Sequence, residues 1–345
     1  MLGGGIFVTQ NKTLPGAYIN IVNASSANPA SAERGVVSIA LALNKAAGTV
    51  IEVTKNNFNN DCEKLLGKKP DSADLIALRE IFRHATKVYI YDLGTNGAVE
   101  DAIVALEPYE FNVLCAYTDD AEDIASYIDA VKDWRDDMGK KCQVVVYNQD
   151  KPDYEGVINV VSTVSNADAK AYALVAWVAG AEAGCAINKS CTNMTYDGEY
   201  NIVANKRQNE LEGYITNGQF AFHLVYGEVR VLEDINSLVT VTDAKGEDFK
   251  YNQTIRVIDQ IANDIAKLFS TKYAGRIPNN DSGRVSLWAD IVAHHRELEA
   301  VQAIESFDSS LLKVEQGATK KSVVVNDAIT VINAMAQLYM TVVIQ

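Results

Sequence analysis

From Ile332 to Ile344 every second residue is apolar: Ile332, Ala334, Ala336, Leu338, Met340, Val342 and Ile344. The other face mixes Asn333, Met335, Gln337, Tyr339, Thr341 and Val343. A period of two marks a β-strand, and this one runs to within one residue of the last position, Gln345. Chain ends are ordinarily frayed and polar. A flat apolar strand with free N–H and C=O groups needs a sheet edge to pair with, either in its own chain or in another.

The run Ala17–Val22 near the start has the same character. It follows a Pro15-Gly16 turn and is separated from the body by Ala24–Ala32, a linker-like stretch of Ala, Ser and Asn. A tethered strand at one end and a strand at the other are what strand exchange between subunits requires. Main-chain ladders supply the affinity, and alternate side chains set the register. If one subunit's ends enter a second subunit the contact is head-to-tail, and such contacts build helical filaments unless the rotation closes.

Between the ends the pattern alternates. Strands are expected at Val36–Leu43, Thr49–Val53, Val88–Tyr91, Phe111–Cys115, Gln143–Tyr147 and Val157–Val161. Helices are expected after Ser72, from Gly97 to about Leu106, from about Asp120 to Met138, and over Asp168–Glu182. Buried strands joined by amphipathic helices indicate βαβ units and a mostly parallel sheet. After about residue 200 the style changes. Leu211–Thr216, Gln219–Tyr226 and Glu228–Leu232 read as an antiparallel meander. Two long helices follow, over about Asn252–Tyr273 and Ser282–Ala303, then strand-like Ser322–Val331 and Gln337–Ile344. The expected fold is an α/β middle domain, a mostly parallel sheet with flanking helices, plus an α+β C-terminal domain, with extended strand arms at both ends. The expected divisions are an arm over 1–24, the middle domain over 25–200, the C-terminal domain over 201–336 and a linking strand over 337–345.

The 345 residues carry 31 Lys and Arg against 45 Asp and Glu, a net charge of −14. Residues 230–345 hold 12 basic and 15 acidic side chains, leaving 19 and 30 in residues 1–229, so most acidic surface lies in the first two thirds. This balance argues against nucleic acid and anionic lipid as partners. No run of about 18 apolar residues offers a membrane span, and Met1–Gly5 lacks the basic and apolar regions of a signal peptide. Five scattered cysteines show no C-x-x-C spacing, so no disulfide framework or zinc site is expected.

Chemistry is hard to place. His84 and His223 stand alone. In His294-His295, His295 falls on an apolar stripe and His294 is expected to face outward; neither fits a zincin motif. The turn Gly94-Thr95-Asn96-Gly97 sits where a phosphate could meet a helix N-terminus, but it lacks the third glycine of a dinucleotide fingerprint. Gly67-Lys68-Lys69 has Cys62 where a P-loop needs its first glycine. Eight acidic residues between Asp119 and Asp137 lack Ca²⁺-loop spacing and read as a solvated helix face. Gly180–Gly184 reads as a helix C-terminus. No active site, cofactor or metal is expected.

A set of segments, in order and spacing, resembles the tail sheath proteins of contractile bacteriophage tails and R-type bacteriocins. They are Leu14-Pro15-Gly16-Ala17-Tyr18-Ile19; Leu232–Thr240; Phe249-x-x-Asn252-x-x-Ile255-Arg256-x-x-Asp259 with Asp264-Ile265; Gly283-Arg284; Val323–Asp327; and Leu338–Val342. The resemblance implies that the arms add strands to the C-terminal domains of neighbouring copies, with Ala17, Tyr18, Ile19 and Ile21 at one end. At the other are Leu338, Tyr339, Met340, Val342 and Ile344. It implies a C-terminal domain facing an inner tube and a middle domain projecting outward. Longer sheaths carry a β-rich insertion for which Tyr91–Phe111 has no room. No protease triad is carried over to the middle domain.

The function so implied is a structural, non-enzymatic subunit. It would polymerise into a metastable helical sheath around a tail tube and contract to drive the tube through a cell envelope. Its partners would be its own copies, the tube protein, and the baseplate and tail-terminator proteins. The particle, a virion or bacteriocin tail, would be assembled in the bacterial cytoplasm. Lys267, Lys272, Arg276 and Arg284 are expected as a basic tube-facing cluster. Two other classes stay open: an α/β nucleotide- or flavin-binding enzyme using the Gly94–Gly97 turn, and a non-contractile self-assembling shell or filament.

Overall fold

Central strands of a parallel sheet are covered on both faces and therefore read as nearly continuous apolar runs, as in Val-Val-Ser-Ile-Ala-Leu of β1 (Val36–Leu41), buried at every residue. The computed structural model describes residues 34–343. Around β1 it builds a seven-stranded sheet in the order β2-β3-β1-β4-β5-β6-β7. The other strands are β2 (Val50–Thr54), β3 (Lys87–Asp92), β4 (Val113–Cys115), β5 (Gln143–Tyr147), β6 (Val157–Val160) and β7 (Gln219–Phe220). All neighbours are parallel except β2, which runs antiparallel to β3 at one edge.

Alternate residues of β1 serve the two faces. Val37, Ile39 and Leu41 pack beneath α1 (Lys55–Leu66), α2 (Ile76–Ile81) and α5 (Leu174–Gly184). Val36 and Ala40 pack beneath α3 (Val99–Leu106) and α4 (Ala121–Asp133). Helix α5 is apolar all round except for Glu182, and is covered from Leu174 to Ala183. Its glycines let it lie directly on the end of α2: a Cβ at Gly180 would strike the Ile81 carbonyl, and one at Gly184 the His84 carbonyl. The Gly180–Gly184 segment is thus a close packing surface as well as the helix end.

The second unit is built on α7 (Asn252–Leu268) and α8 (Asp281–Ala300). Val257, Ile261 and Ile265 of α7 meet Leu287, Ile291 and Leu298 of α8 in its core. An antiparallel hairpin, β10 (Lys313–Gln316) and β11 (Val323–Asn326), completes it. The mostly parallel sheet with flanking helices, and the separate α+β unit, are as expected.

Several details differ. Leu211–Thr216 belongs to a helix, α6 (Gln208–Thr216), with the Glu210 side chain accepting from the Arg207 N–H at 3.0 Å. No residue of α6 is buried, so no sheet face selects a strand and local helix preference decides. The expected meander reduces to one hairpin, β8 (Phe222–Val225) with β9 (Glu228–Val231), turning through Tyr226-Gly227 at φ +50° and +87°. β7 instead joins β6 in parallel, and Phe222 and Val231 pack in the sheet's core. The sheet-bearing unit therefore runs past residue 200, where the C-terminal domain was expected to begin. Helix α1 and strand β10 were not foreseen. The helix expected from Asp168 is regular only from Leu174, and Ser322–Val331 is strand only over β11, with Val331 in an isolated bridge to Ile304.

Candidate assembly site

The C-terminal segment leaves the body through a chain of backbone and side-chain bonds. Asp327, just past β11, binds His295 Nε2 at 2.7 Å. The Glu305 N–H donates to the Thr330 carbonyl and the Ile332 N–H to the Ala303 carbonyl, each at 3.0 Å. Gln253 holds residues 332 and 334, and Thr254 Oγ1 donates to Asn333 Oδ1 at 3.2 Å. Beyond Ala334 the described tail makes no backbone hydrogen bond and no strand, and Leu338 and Tyr339 are 86% and 88% exposed. Met340, Val342 and Val343 are likewise open to solvent. The strand expected over Gln337–Ile344 is thus unpaired within the described chain through Val343. Ile344 lies outside the described residues, as do Ala17, Tyr18, Ile19 and Ile21.

Burying an exposed Leu, Met or Val side chain is worth about 1.5–3 kcal/mol. A contiguous apolar tail with unsatisfied main-chain groups is therefore a pairing element that its own body leaves unused.

Behind the tail, α7 is covered on two sides. Its apolar stripe faces α8, and its other face meets the sheet unit through polar groups. Arg135 holds Asp259 with two bonds, at 2.5 and 2.9 Å, and donates to the Cys142 carbonyl at 2.7 Å. Gln143 Nε2 donates to Asn252 Oδ1 at 3.0 Å, and Asn263 exchanges two bonds with the backbone of Lys141. Arg256 reaches Glu182 at 2.6 Å, Asp234 at 3.3 Å and the Lys189 carbonyl at 2.8 Å. A cleft of about 20 Å³ between Arg34, Lys141, Glu182 and Arg256 leaves room for one water. The seam was not foreseen. Its signal was nevertheless in the sequence, since Asn252, Arg256 and Asp259 are polar positions at helical spacing in a stretch that also supplies an apolar stripe.

Three donors here, on Glu182, Cys191 and Asp234, lie within 4.8 Å of one another in the manner of a metal site. The Arg256 guanidinium stands against all of them, at 2.6 Å, 3.9 Å and 3.3 Å, and supplies the positive charge. Burial and the Asp234 charge push Glu182 well above the usual carboxyl range. Burial also acts to raise Asp234, but Arg256, Glu182 and the Cys191 N–H outweigh it and hold Asp234 low. A hydrogen bond with Cys191, acting against burial, brings the Cys185 thiol down to about 7.

The proposed basic cluster is largely neutralised. Lys267 binds Glu110 at 3.0 Å, Lys272 binds Asp290 at 2.5 Å, and Arg284 binds Asp281. Arg276 donates to the Thr271 carbonyl and has no carboxylate partner among the described residues. His294 does not face outward: its Nε2 lies 3.0 Å from Asp264 on α7, and its side chain is mostly buried. His84 pairs with Asp197.

The Gly94–Gly97 turn is already occupied by the protein's own anion. The Asp92 carboxylate accepts from the backbone N–H groups of Leu43, Asn44, Lys45, Ala46 and Gly94 at 2.7–3.0 Å. The Gly97 N–H donates to the Leu93 carbonyl, and the first turn of α3 carries Glu100 and Asp101. A phosphate would meet bound donors and two carboxylates.

Family models match two consecutive spans: the phage tail sheath protein central domain over residues 94–237 and the phage tail sheath C-terminal domain over 244–345. Among similar proteins, YqbK of Bacillus subtilis (strain 168) is 32% identical over 227 residues, covering 62% of this chain and 48% of its own length. The tail sheath protein of Clostridium phage phiCD119 is 26% identical over 223 residues, covering 64% of this chain and 62% of its own. The crystal structure of a sheath tail protein from Desulfitobacterium hafniense superposes with a TM-score of 0.75 at 26% identity, over 87% of this chain and 93% of that one. The chain spans about half to three fifths of the length of the curated relatives it matches. With both domain models matched in chain order and the fold shared, the chain belongs to the phage tail sheath protein family.

Proposed function

We propose that the chain is a subunit of a contractile sheath that assembles by lending its terminal strands to neighbouring copies. The observation that carries this is the solvent-exposed apolar tail over Met335–Val343, unpaired within the described chain. Its acceptor in a neighbour would be the β10–β11 hairpin, a two-stranded sheet too small to be stable alone and open to further strands. The N-terminal run Ala17–Val22 would add from the other side.

Copies joined in this way form a helix around a tube. The extended helix is metastable, and a trigger from the baseplate releases rotation of nearly rigid subunits into a shorter, wider helix with more buried contact. The energy is stored at assembly, so neither nucleotide nor catalysis is required, and the occupied Gly94–Gly97 turn disfavours a nucleotide-binding enzyme. The other partners would be the tube, baseplate and tail-terminator proteins, in a virion or bacteriocin tail assembled in the bacterial cytoplasm.

The tube-facing surface would lie on the C-terminal unit, near Lys267, Lys272, Arg276 and Arg284. Because carboxylates cancel Lys267, Lys272 and Arg284, reversing Arg276 should weaken tube binding more than reversing Lys272. Deleting residues 1–22 or 338–345 should leave folded monomers in sedimentation and empty fields in negative-stain micrographs. Polymers from both deletions would refute strand exchange. Intact protein forming tubes of one fixed diameter and length, with or without trigger, would favour a non-contractile filament.

A further inference from the structure

We propose that Gln253 and Thr254, in the first turn of α7, are positioning residues that clamp the root of the C-terminal tail and make Met335 its pivot. The proposal rests on reading the tail as an inter-subunit strand.

Gln253 is 3% exposed, and its side-chain amide brackets Asn333: Nε2 donates to the Ile332 carbonyl at 3.0 Å, and Oε1 accepts from the Ala334 N–H at 2.9 Å. These are the two bonds a residue of a parallel strand would make around its partner, so the amide stands in for a peptide unit and ends the body's pairing there. Thr254 Oγ1 adds a bond to the Asn333 side chain. One residue earlier, Asn252 is bonded to Gln143 of β5, and one turn later Arg256 holds Glu182 and Asp234. The tail root is thus fastened to the same helix that is fastened to the sheet unit. A pull on the tail passes to both units through rigid elements.

The change from bonded to free backbone falls between Ala334 and Met335, which is fully exposed. Residues 335–345 reach at most about 36–40 Å when extended, measured from a fixed point. A fixed exit lowers the ordering cost of pairing with a neighbour. Without the clamp the free segment lengthens and the exit direction is lost.

The test uses the full chain with Gln253→Met, which keeps the shape but loses the amide, with Thr254→Val, and with Thr254→Ser, which keeps the hydroxyl. Amide hydrogen exchange is read in dilute unassembled protein, and the concentration needed for assembly is read by light scattering with electron microscopy. In Q253M, exchange at Ala334 should quicken about ten-fold and the assembly concentration should rise several-fold. T254V should show a smaller rise and T254S none. Unchanged exchange in Q253M, or faster exchange with an unchanged assembly concentration, would overturn the clamp. Undiminished polymerisation of a chain lacking residues 338–345 would instead overturn the strand reading beneath it, whatever the exchange rates.

Discussion

Arg135 and Asp259 meet across the seam as a two-pronged ion pair, at 2.5 and 2.9 Å, with both side chains nearly dry. The pair joins the turn Trp134–Met138, which follows α4, to the middle of α7, and so ties the sheet unit to the tail-bearing unit. Around it the seam is held by directional polar bonds, which fix one arrangement of the two units more sharply than an apolar contact would.

Removing one member of such a pair strands the other charge. Asp259→Ala should destabilise the chain by about 3–5 kcal/mol. The double change Arg135→Met with Asp259→Leu should recover most of that, since neither charge of the pair is left stranded. Urea unfolding of the two variants checks this, and equal losses in both would assign the effect to packing.

Helix α5 gives a packing prediction. Gly180 faces the Ile81 carbonyl and Gly184 the His84 carbonyl too closely for a Cβ. Gly180→Ala, inside the helix, would ordinarily gain about 1 kcal/mol of helix propensity. Here the clash should reverse the sign and cost about 1–3 kcal/mol. A thermal midpoint above that of the unchanged chain would show that the helices separate freely.

Much of the sheet unit was legible because parallel strands such as Gln143–Tyr147 are apolar on both faces, and Asp120 caps α4 in plain view. Helix α1 escaped because Lys55–Leu66 buries only Phe58, Cys62 and Leu66, too few to print a stripe, and its Thr54 cap ends a strand. Residues 211–216 misled because Tyr214-Ile215-Thr216 favours a strand, while Glu210, the capping side chain, is polar and silent. The tail was visible as alternation. Its clamp was not, because a glutamine at a helix start gives no sign of which distant carbonyl it will hold. The ion pairs within the basic cluster were hidden for a related reason: Glu110 and Asp290 are remote in sequence from the lysines they neutralise.

The carboxyl pair under Arg256 makes stability depend on pH. Glu182 is raised well above the usual range by burial and by Asp234, so the folded chain holds this proton to higher pH than the unfolded chain does. In the unfolded chain it releases that proton near pH 4.3. Its contribution is therefore complete below that value and is lost as pH rises through the folded pKa. Asp234, held low by Arg256 against burial, acts in the opposite sense. Its contribution is present above about pH 3.9 and is lost as pH falls through its folded pKa. Glu182→Gln keeps a donor for Asp234 and an acceptor for Arg256 with no proton to lose. Its stability relative to the unchanged chain should be lowest below about pH 4.3 and should rise steadily as pH increases toward 8. Urea midpoints that stay parallel between pH 5 and 8 would exclude a shared proton.

The tail separates folding from assembly. Leu338, Met340 and Val342 share one face and are exposed in the single chain, so Leu338→Asp with Met340→Asp removes no contact from the body. Unfolding free energy should stay within about 0.5 kcal/mol of the unchanged chain. If that face is buried against a neighbour, the double change forfeits about 3–6 kcal/mol of apolar burial, two to four orders of magnitude in association. Particles should disappear from micrographs at concentrations where the unchanged chain forms them. Thr341→Asp, on the opposite face, should weaken assembly far less. Equal losses from both faces would mean the tail is not paired as a strand with one side buried, and no loss from either would mean that the tail is not what joins the copies.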